Sequence, residues 1–170
     1  MNQTYQLKYF IILLSLIFGL GCVCSFYTNA TVISVIDGDT ITIKYLSKKK
    51  NKIQKIRLAD IDAPELTQPF GKESKAYLEK LLLGKKVQLQ IKGQDSYNRT
   101  IATVLYNNRV INQELVYEGI AWWYQAFSSN SDFKELQQGA RSNKRGLWAS
   151  NNTTPPWEFR HSKNTVPNTF

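Results

Sequence analysis

Three short stretches of the sequence bring acidic residues and arginines together. They read Val-Ile-Asp-Gly-Asp-Thr at 35–40, Arg-Leu-Ala-Asp-Ile-Asp-Ala-Pro-Glu at 57–65 and Asp-Ser-Tyr-Asn-Arg at 95–99. Carboxylates that can hold a hard cation, one further glutamate and two arginines shaped for phosphate are the groups that in-line displacement at phosphorus needs. The three stretches therefore indicate metal-assisted hydrolysis of a phosphodiester.

The acidic residues also have structural explanations. Asp-Gly-Asp at a strand junction is ordinary turn chemistry, and a lone acid such as Asp60 is expected to face solvent. Pro64 forces an extended or turning backbone at Ala63, which gathers Asp60, Asp62 and Glu65 around a bend. If these oxygens hold a metal, they would select calcium or magnesium over a softer ion.

The two arginines are open to two explanations, because single arginines beside acids are more often surface ion pairs than phosphate clamps. Arg57 and Asp62 are five residues apart, so in a regular strand they would face opposite sides. A bend after Leu58 is needed to bring them to one site. The joint occurrence of Arg57, Arg99 and the carboxylates favours phosphate binding by guanidinium forks, with Glu65 positioning or deprotonating the attacking water.

The remaining composition disfavours several other hydrolytic mechanisms. Both cysteines, Cys22 and Cys24, lie in an apolar N-terminal segment, and the only histidine, His161, lies in a tail rich in Pro, Asn and Thr. Thiolate metal sites, cysteine nucleophiles, histidine zinc sites and Ser–His–acid triads are therefore disfavoured together. The net charge of +9 favours nucleic acid as a partner, although a solvated basic surface would give the same charge.

Residues 1–25 have the pattern of a signal peptide or membrane anchor. Lys8 is followed by an apolar run over residues 9–27, near the lower limit for crossing a bilayer, roughly 17 residues. The pattern predicts export and leaves open a cleaved signal, a lipid anchor and an uncleaved helix. The protein would then be secreted, periplasmic or attached to the membrane.

Hydrophobic periodicity predicts the elements that would position the three stretches. Strands are predicted near 41–45, 53–58, 87–92 and 101–106, and helices at 72–83, at 110–118 and from Asp132 to before Gly146. This order predicts an α+β domain over residues 30–149, a small five-stranded barrel of the OB type with one inserted and two C-terminal helices. Residues 150–170 lack an apolar period, which predicts a flexible tail.

The three stretches resemble the motifs of the staphylococcal nuclease (thermonuclease) family in residue type, order and spacing. The resemblance covers about residues 31–149 and ends at Arg-Gly-Leu-Trp, at 145–148, which is similar to the family's closing motif. It implies a five-stranded OB-type barrel with three helices, and calcium-dependent endonucleolysis of DNA and RNA. A monomer is expected.

The resemblance also assigns roles to individual residues. It implies phosphate binding by Arg57 and Arg99, catalysis by Glu65, and a supporting role for Asp95. The calcium ligands that it implies are the carboxylates of Asp39 and Asp62 and the backbone carbonyl of Ala63. Some family members have threonine at the position of Ala63, and a backbone carbonyl could still serve there.

Further residues are candidates for contact with nucleic acid. Lys48 and Lys49 lie in a basic loop that would attract polyanions without reading their sequence. Tyr97, beside Arg99 in the third stretch, is assigned to substrate binding. The aromatic cluster at 122–127 could stack on bases or fill the core, and we expect part of it in the core, with Tyr124 or Phe127 near the site.

Two functions without turnover remain as alternatives. A non-catalytic OB-fold module held at the cell surface would bind nucleic acid in its basic groove. A surface adhesin or matrix protein would bind many polyanions with strong salt dependence. A plasmid digest with calcium and with a chelator separates both alternatives from an endonuclease.

Overall fold

The computed structural model describes residues 27–46 and 52–164. The elements along the chain are β1 (Thr28–Val35), β2 (Thr40–Tyr45), β3 (Ile53–Leu58), β4 (Ile61–Asp62), α1 (Gly71–Leu82), β5 (Lys86–Gln94), β6 (Thr100–Tyr106), β7 (Arg109–Val110), α2 (Ile111–Tyr117), β8 (Trp122–Trp123), α3 (Asp132–Ser142) and α4 (Pro156–Asn164). Short 3-10 turns at Gln125–Phe127 and Gly146–Ala149 complete the described secondary structure.

Five of the strands form a closed barrel. β1 pairs antiparallel with β2 and with β5, β2 pairs with β3, and β5 pairs with β6. A parallel pairing of β3 with β6 then closes the sheet on itself. The OB-type α+β architecture expected from the sequence is confirmed.

The barrel encloses the core because its strands alternate as the sequence predicts. Ile41 and Ile43 of β2, and Leu89 of β5, are fully buried, while Lys44 and Gln88 beside them are exposed. Leu78 of α1 and Leu115 of α2 pack into the same cluster. Full burial of each such side chain stabilises the fold by about 1.5–3 kcal/mol.

One buried polar residue ties the core to the loop that follows β3. The Asn112 side chain is fully buried and accepts a hydrogen bond from the Val104 N–H (2.9 Å). Its amide nitrogen donates to the carbonyls of Ala59 (2.9 Å) and Ala102 (3.2 Å). A buried amide that is satisfied in this way fixes the local backbone, because an unpaired one would carry a desolvation cost.

The three helices expected from periodicity are present as α1, α2 and α3. The expectation of no regular structure after Ser150 is wrong for Pro156–Asn164, which form α4. Proline suits the first helical position because its missing N–H would be unpaired there anyway. Glu158 in the first turn complements the helix dipole. The Pro content that indicated a tail is thus, at Pro156, compatible with a helix start.

Two sequence-based predictions fall on residues outside the described part of the chain. These are the apolar run, of which only Tyr27 is described, and the basic loop with Lys48 and Lys49. In residues 27–46 and 52–164, no helix combines the length and the apolar character needed to cross a membrane.

Candidate active site

Arg57, at the end of β3, joins two aspartates from different parts of the chain. Its Nε lies 3.1 Å from Asp39 Oδ1 and its Nη2 lies 2.7 Å from Asp62 Oδ1. Its Nη1 donates to the backbone carbonyls of Leu58 (2.9 Å) and Ile61 (2.8 Å). The side chains of Arg57, Asp39 and Asp62 are 12%, 7% and 3% exposed, so this buried triad is largely shielded from water.

A tight turn between β3 and β4 makes the triad possible. Asp60 has a left-handed backbone (φ 68°), which aspartate tolerates better than most residues. The turn returns the chain so that Asp62 faces Arg57, and it supplies the bend that the sequence required after Leu58. The Asp60 carbonyl accepts a hydrogen bond from the Tyr124 N–H (2.9 Å), while its side chain is partly exposed rather than fully in solvent.

The turn before β2 presents Asp39. The Asp37 carboxylate accepts a hydrogen bond from the Asp39 N–H (3.0 Å), so Asp37 is the turn former that the Asp-Gly-Asp pattern predicted. Asp39 Oδ2 in turn accepts a bond from the Ala63 N–H (2.6 Å). The Asp39 carbonyl accepts one from the Leu58 N–H (2.8 Å). These hydrogen bonds hold the first two acidic stretches against each other.

Gly38 lets the turn and α1 pack closely. A Cβ added at Gly38 would lie 2.0 Å from Ser74 Oγ and 2.7 Å from the Ala63 Cβ, both too close for real contacts. Ser74 is itself fixed, because its hydroxyl donates to the Ile120 carbonyl (2.9 Å). The site therefore depends on a residue without a side chain at position 38.

Burial disfavours the charged form of two carboxylates in this region. Burial, with the charge of Asp39 as a second cause, raises the pKa of Asp37 to about 6. Burial also raises the pKa of Asp62, and it outweighs the opposing hydrogen bond from Arg160 and the charge of Arg57. Carboxylates that are costly to ionise when buried are stabilised by a nearby cation.

The donor set fits a hard cation by its chemistry. The carboxylates of Asp39 and Asp62 supply oxygen ligands, and the buried Ala63, whose N–H donates to Asp39, has a backbone carbonyl of the same chemistry. Among the residues that the structure describes, no group of three or more His, Cys, Asp and Glu side chains is close enough to hold a metal. Any cation would therefore rely on two carboxylates, carbonyl oxygen and water.

Glu65 follows β4 on a partly exposed loop, and its carboxylate contacts an arginine that the sequence reasoning missed. Arg160 of α4 places Nη1 2.8 Å from Glu65 Oε1 and Nη2 2.8 Å from Asp62 Oδ2. A Pro-Pro start followed by Trp157 was the available signal for a helix that could carry Arg160.

Arg99 ends the turn directly before β6, the strand that pairs with the strand of Arg57, and it is engaged locally. β3 and β6 are parallel with Arg57 opposite Ile101, so Arg99 lies two residues before that partner, about 7 Å along the strand. Its Nε contacts Asp95 Oδ2 at 2.7 Å, and its backbone N–H donates to Asp95 Oδ1 at 2.9 Å. The structure thus places Arg99 at the entry to the neighbouring strand, and its described side-chain ion pair is with Asp95 rather than with the buried triad.

The aromatic residues differ in burial. Trp122 is buried against Trp148, with ring centroids 4.3 Å apart, in a cluster of its own. Tyr124 lies next to the β4–β8 pair and contacts Phe127 at 4.7 Å between centroids. Phe127 is 75% exposed, and Tyr97, in the turn before Arg99, is 79% exposed. The part of the expectation that placed some of the 122–127 cluster in the core is met by Trp122, and the role of Tyr124 or Phe127 near the site stays a prediction.

A small closed barrel with a buried arginine–carboxylate site, and a glutamate beside it, defines an OB-type α+β protein with groups suited to phosphate chemistry. Residues 55–150 match the family described as staphylococcal nuclease homologue. The chain therefore belongs to the staphylococcal nuclease family.

Several relatives carry names that agree with this family. A Haemophilus influenzae protein named "Uncharacterized endonuclease" is 42% identical over 151 residues, which cover 88% of this chain and 83% of that protein. An Escherichia coli O157:H7 protein of the same name is 36% identical over 136 residues, or 79% and 86% of the two chains. The "Probable staphylococcal-like nuclease CAN2" of Oryza sativa subsp. japonica is 34% identical over 132 residues, 78% of this chain but 33% of that protein.

Proposed function

We propose that this chain is an exported endonuclease that hydrolyses phosphodiester bonds of DNA and RNA with calcium as its cation and little sequence preference. The observation that carries the proposal is the convergence of Asp39, Arg57, Asp62 and Glu65, which come from two separate stretches. Relatives named endonucleases and staphylococcal-like nucleases support it.

Calcium would be held by the carboxylates of Asp39 and Asp62 and by the carbonyl of Ala63. When bound, it would polarise a phosphoryl oxygen and organise water. Asp39 and Asp62 are already oriented by Arg57 and by the Ala63 N–H, so little reorganisation is needed to present their remaining lone pairs.

The protein's own groups would do the remaining work on phosphate and water. Arg57 has five N–H donors, of which four are engaged by Asp39, Asp62 and two carbonyls. A phosphate would therefore take the remaining Nη2 donor or exchange with a carboxylate. Arg99, which pairs with Asp95 of its own turn, can turn towards a phosphate by releasing Asp95. Glu65 would accept a proton from the attacking water or orient it.

Bases of the substrate would be bound by aromatic side chains. Tyr124 directly follows β8, which pairs with β4, and it contacts Phe127, while Tyr97 lies beside Arg99. Aromatic faces stack on any base, which suits binding without sequence preference. We include Lys48 and Lys49 in the proposal as an electrostatic aid.

Glu65→Gln tests the proposal because the Glu65 side chain is 39% exposed and its loss leaves the core unchanged. We expect at least a hundredfold slower cleavage of plasmid DNA with calcium, on the order of the contribution of a catalytic base. Glu79→Gln is the matched control, since that side chain is 40% exposed in an ion pair on α1. Cleavage by the wild-type chain that is unaffected by a chelator would contradict the calcium role. Intact DNA with and without calcium would favour the non-catalytic binding module.

Export is proposed from the apolar run at residues 9–27, after Lys8. Fractionation of cells that express the whole chain would test it. Nuclease protein confined to the cytoplasmic fraction would contradict export.

A further inference from the structure

Helix α4 lies outside the part of the chain that matches the family, yet it reaches the catalytic carboxylates. The matched residues end at 150, and α4 begins at Pro156. Arg160, just over one helical turn further on, contacts Glu65 Oε1 and Asp62 Oδ2, each at 2.8 Å. A second contact to Asp62, from Nη1 to Oδ1, is longer at 3.4 Å. One planar guanidinium therefore bridges the two carboxylates.

Glu65 needs such a partner more than the buried aspartates do. Asp39 and Asp62 are fixed by Arg57, and Asp39 also by the Ala63 N–H. Glu65 lies on a loop without regular structure, and its side chain is 39% exposed. In the described part of the chain, Arg160 is the one group seen to bind the Glu65 carboxylate. A flexible glutamate without that partner would sample several rotamers.

The helix that carries Arg160 is anchored independently of the ion pairs. The Trp157 ring stacks on Tyr124, with centroids 5.4 Å apart and planes 10° apart, and it meets Trp122 edge-on at 5.7 Å. The side chain of the buried Gln68 donates to the Thr154 carbonyl (2.6 Å) just before the helix. These contacts hold the helix near the carboxylates without any contribution from the ion pairs of Arg160.

Gln68 also connects the start of α4 to the loop of Glu65. The side-chain oxygen of Gln68 accepts a hydrogen bond from the Glu65 N–H (3.1 Å). The backbone N–H of Gln68 donates to the Glu65 carbonyl (2.8 Å). The backbone of Glu65 is thereby fixed by Gln68, and the carboxylate by Arg160. Gln68 also binds Thr154, and Arg160 lies in α4, so both contacts to Glu65 depend on residues 154–160.

We propose that Arg160 is a positioning residue, which holds the Glu65 carboxylate at a fixed place relative to Asp62 for the attack of water. This inference rests on the proposed function. Arginine suits the role because its rigid fork can engage two carboxylates at once, whereas lysine offers a point charge. Burial lowers the pKa of Arg160, but the hydrogen bonds and charges of Asp62 and Glu65 outweigh it and raise the pKa, so the guanidinium stays charged.

A different role would give the opposite result. A guanidinium between Asp62 and Glu65 could instead compete with the cation for Asp62. Removing a competitor would strengthen calcium binding and speed cleavage at low calcium. Removing a positioning group lowers kcat and leaves substrate binding nearly unchanged.

The kinetic experiment compares Arg160→Ala and Arg160→Lys with wild type. We expect kcat to fall about 10–100-fold in Arg160→Ala, as for other groups that orient a catalytic ligand, with KM changed less than about threefold. Arg160→Lys should recover only part of the loss. Arg109→Ala is the matched control, because Arg109 forms an exposed ion pair with Glu114 at 3.0 Å. An Arg160→Ala enzyme that is as fast as wild type, or faster at low calcium, would overturn the inference.

A measurement that does not depend on turnover separates this inference from the proposed function. In protein labelled with 15N, the Arg160 guanidinium nitrogens should give separate, slowly exchanging NMR signals, because two carboxylates restrict rotation. Glu65→Gln should merge or broaden them. If wild type cleaves no nucleic acid, the proposed function fails, and these signals still report whether Arg160 holds Glu65. Signals that are mobile in wild type, or unaltered in Glu65→Gln, overturn the positioning contact.

Discussion

The two arginines assigned to phosphate are held in very different ways. Arg57 joins aspartates that are 23 positions apart in the chain, Asp39 and Asp62, and all three side chains are at most 12% exposed. Arg99 pairs with Asp95 four residues earlier, with side chains 29% and 16% exposed. One pair belongs to the tertiary structure of the barrel, and the other belongs to a single turn.

The difference separates two tasks that the sequence motifs present as equivalent. In the buried triad, Arg57 holds the carboxylates of Asp39 and Asp62 and also donates to two backbone carbonyls, so few of its N–H donors are free. The Asp95–Arg99 turn is complete by itself, because Asp95 also accepts bonds from the Tyr97 and Arg99 N–H groups, each 2.9 Å. Arg99 can therefore exchange partners at little cost to the fold.

Arg57→Ala should have the largest effect on stability. It leaves the buried carboxylates of Asp39 and Asp62 without their shared partner, and breaking a buried pair costs about 3–5 kcal/mol. Urea unfolding followed by tryptophan fluorescence would measure the loss. Arg99→Ala is the matched change and should cost about 0.2–1 kcal/mol, because its pair is partly solvated. Equal losses in the two variants would remove the distinction between the pairs.

Gly38→Ala should have an intermediate effect. The added methyl group collides with Ser74 and Ala63, and overpacking of this kind costs about 1–3 kcal/mol. Gly93→Ala is the control near the Asp95 turn, where no atom lies within 4 Å of the new Cβ. Its melting temperature should stay close to that of wild type. A tolerated Gly38→Ala would mean that the turn can move away from α1.

Asp95→Asn should have the smallest effect, and that effect should depend on pH. Burial is the largest single cause and raises the pKa of Asp95, but the hydrogen bonds from the Arg99 backbone, the Arg99 side chain and the Tyr97 backbone, with the charge of Arg99, together outweigh it and lower the pKa. A carboxyl with a lowered pKa stabilises the fold above its ordinary pKa, about 3.9. That contribution is lost as pH falls through the folded-state value.

Thermal unfolding of wild type and Asp95→Asn between pH 2 and pH 7 would measure this contribution. The two melting temperatures should differ most at neutral pH and low salt, and converge at acid pH or high salt. A difference that grows at acid pH would contradict the role of the charged Asp95.

The sequence predicted those features that depend on residues close together in the chain. The Asp37 turn, the amphipathic helices and the alternating strands follow from residue type and spacing. The need for a bend between Arg57 and Asp62 also followed, but its position at Asp60 did not. A left-handed aspartate leaves no periodic signal, so only the fold reveals which residue turns the chain.

Helix α4 was not predictable because its stabilising contacts are tertiary. A nine-residue helix is marginal on its own in water, and its composition is that of a tail. The stacking of Trp157 on Tyr124 and the pairing of Arg160 with Glu65 join residues that are 33 and 95 positions apart. The roles of Lys48, Lys49 and residues 9–27 stay predictions from sequence.

The parallel pairing of β3 with β6 has a consequence for how the protein folds. It joins Ile56 to Thr100, 44 residues further along the chain, and the entropy of closing that loop is lost before the contact is made. Asn112, which bonds to Ala59 and Ala102 beside this seam, can be satisfied only after closure. We therefore expect the site to form in the slow, final phase of refolding, when the barrel closes. A partly folded chain would then lack a working site.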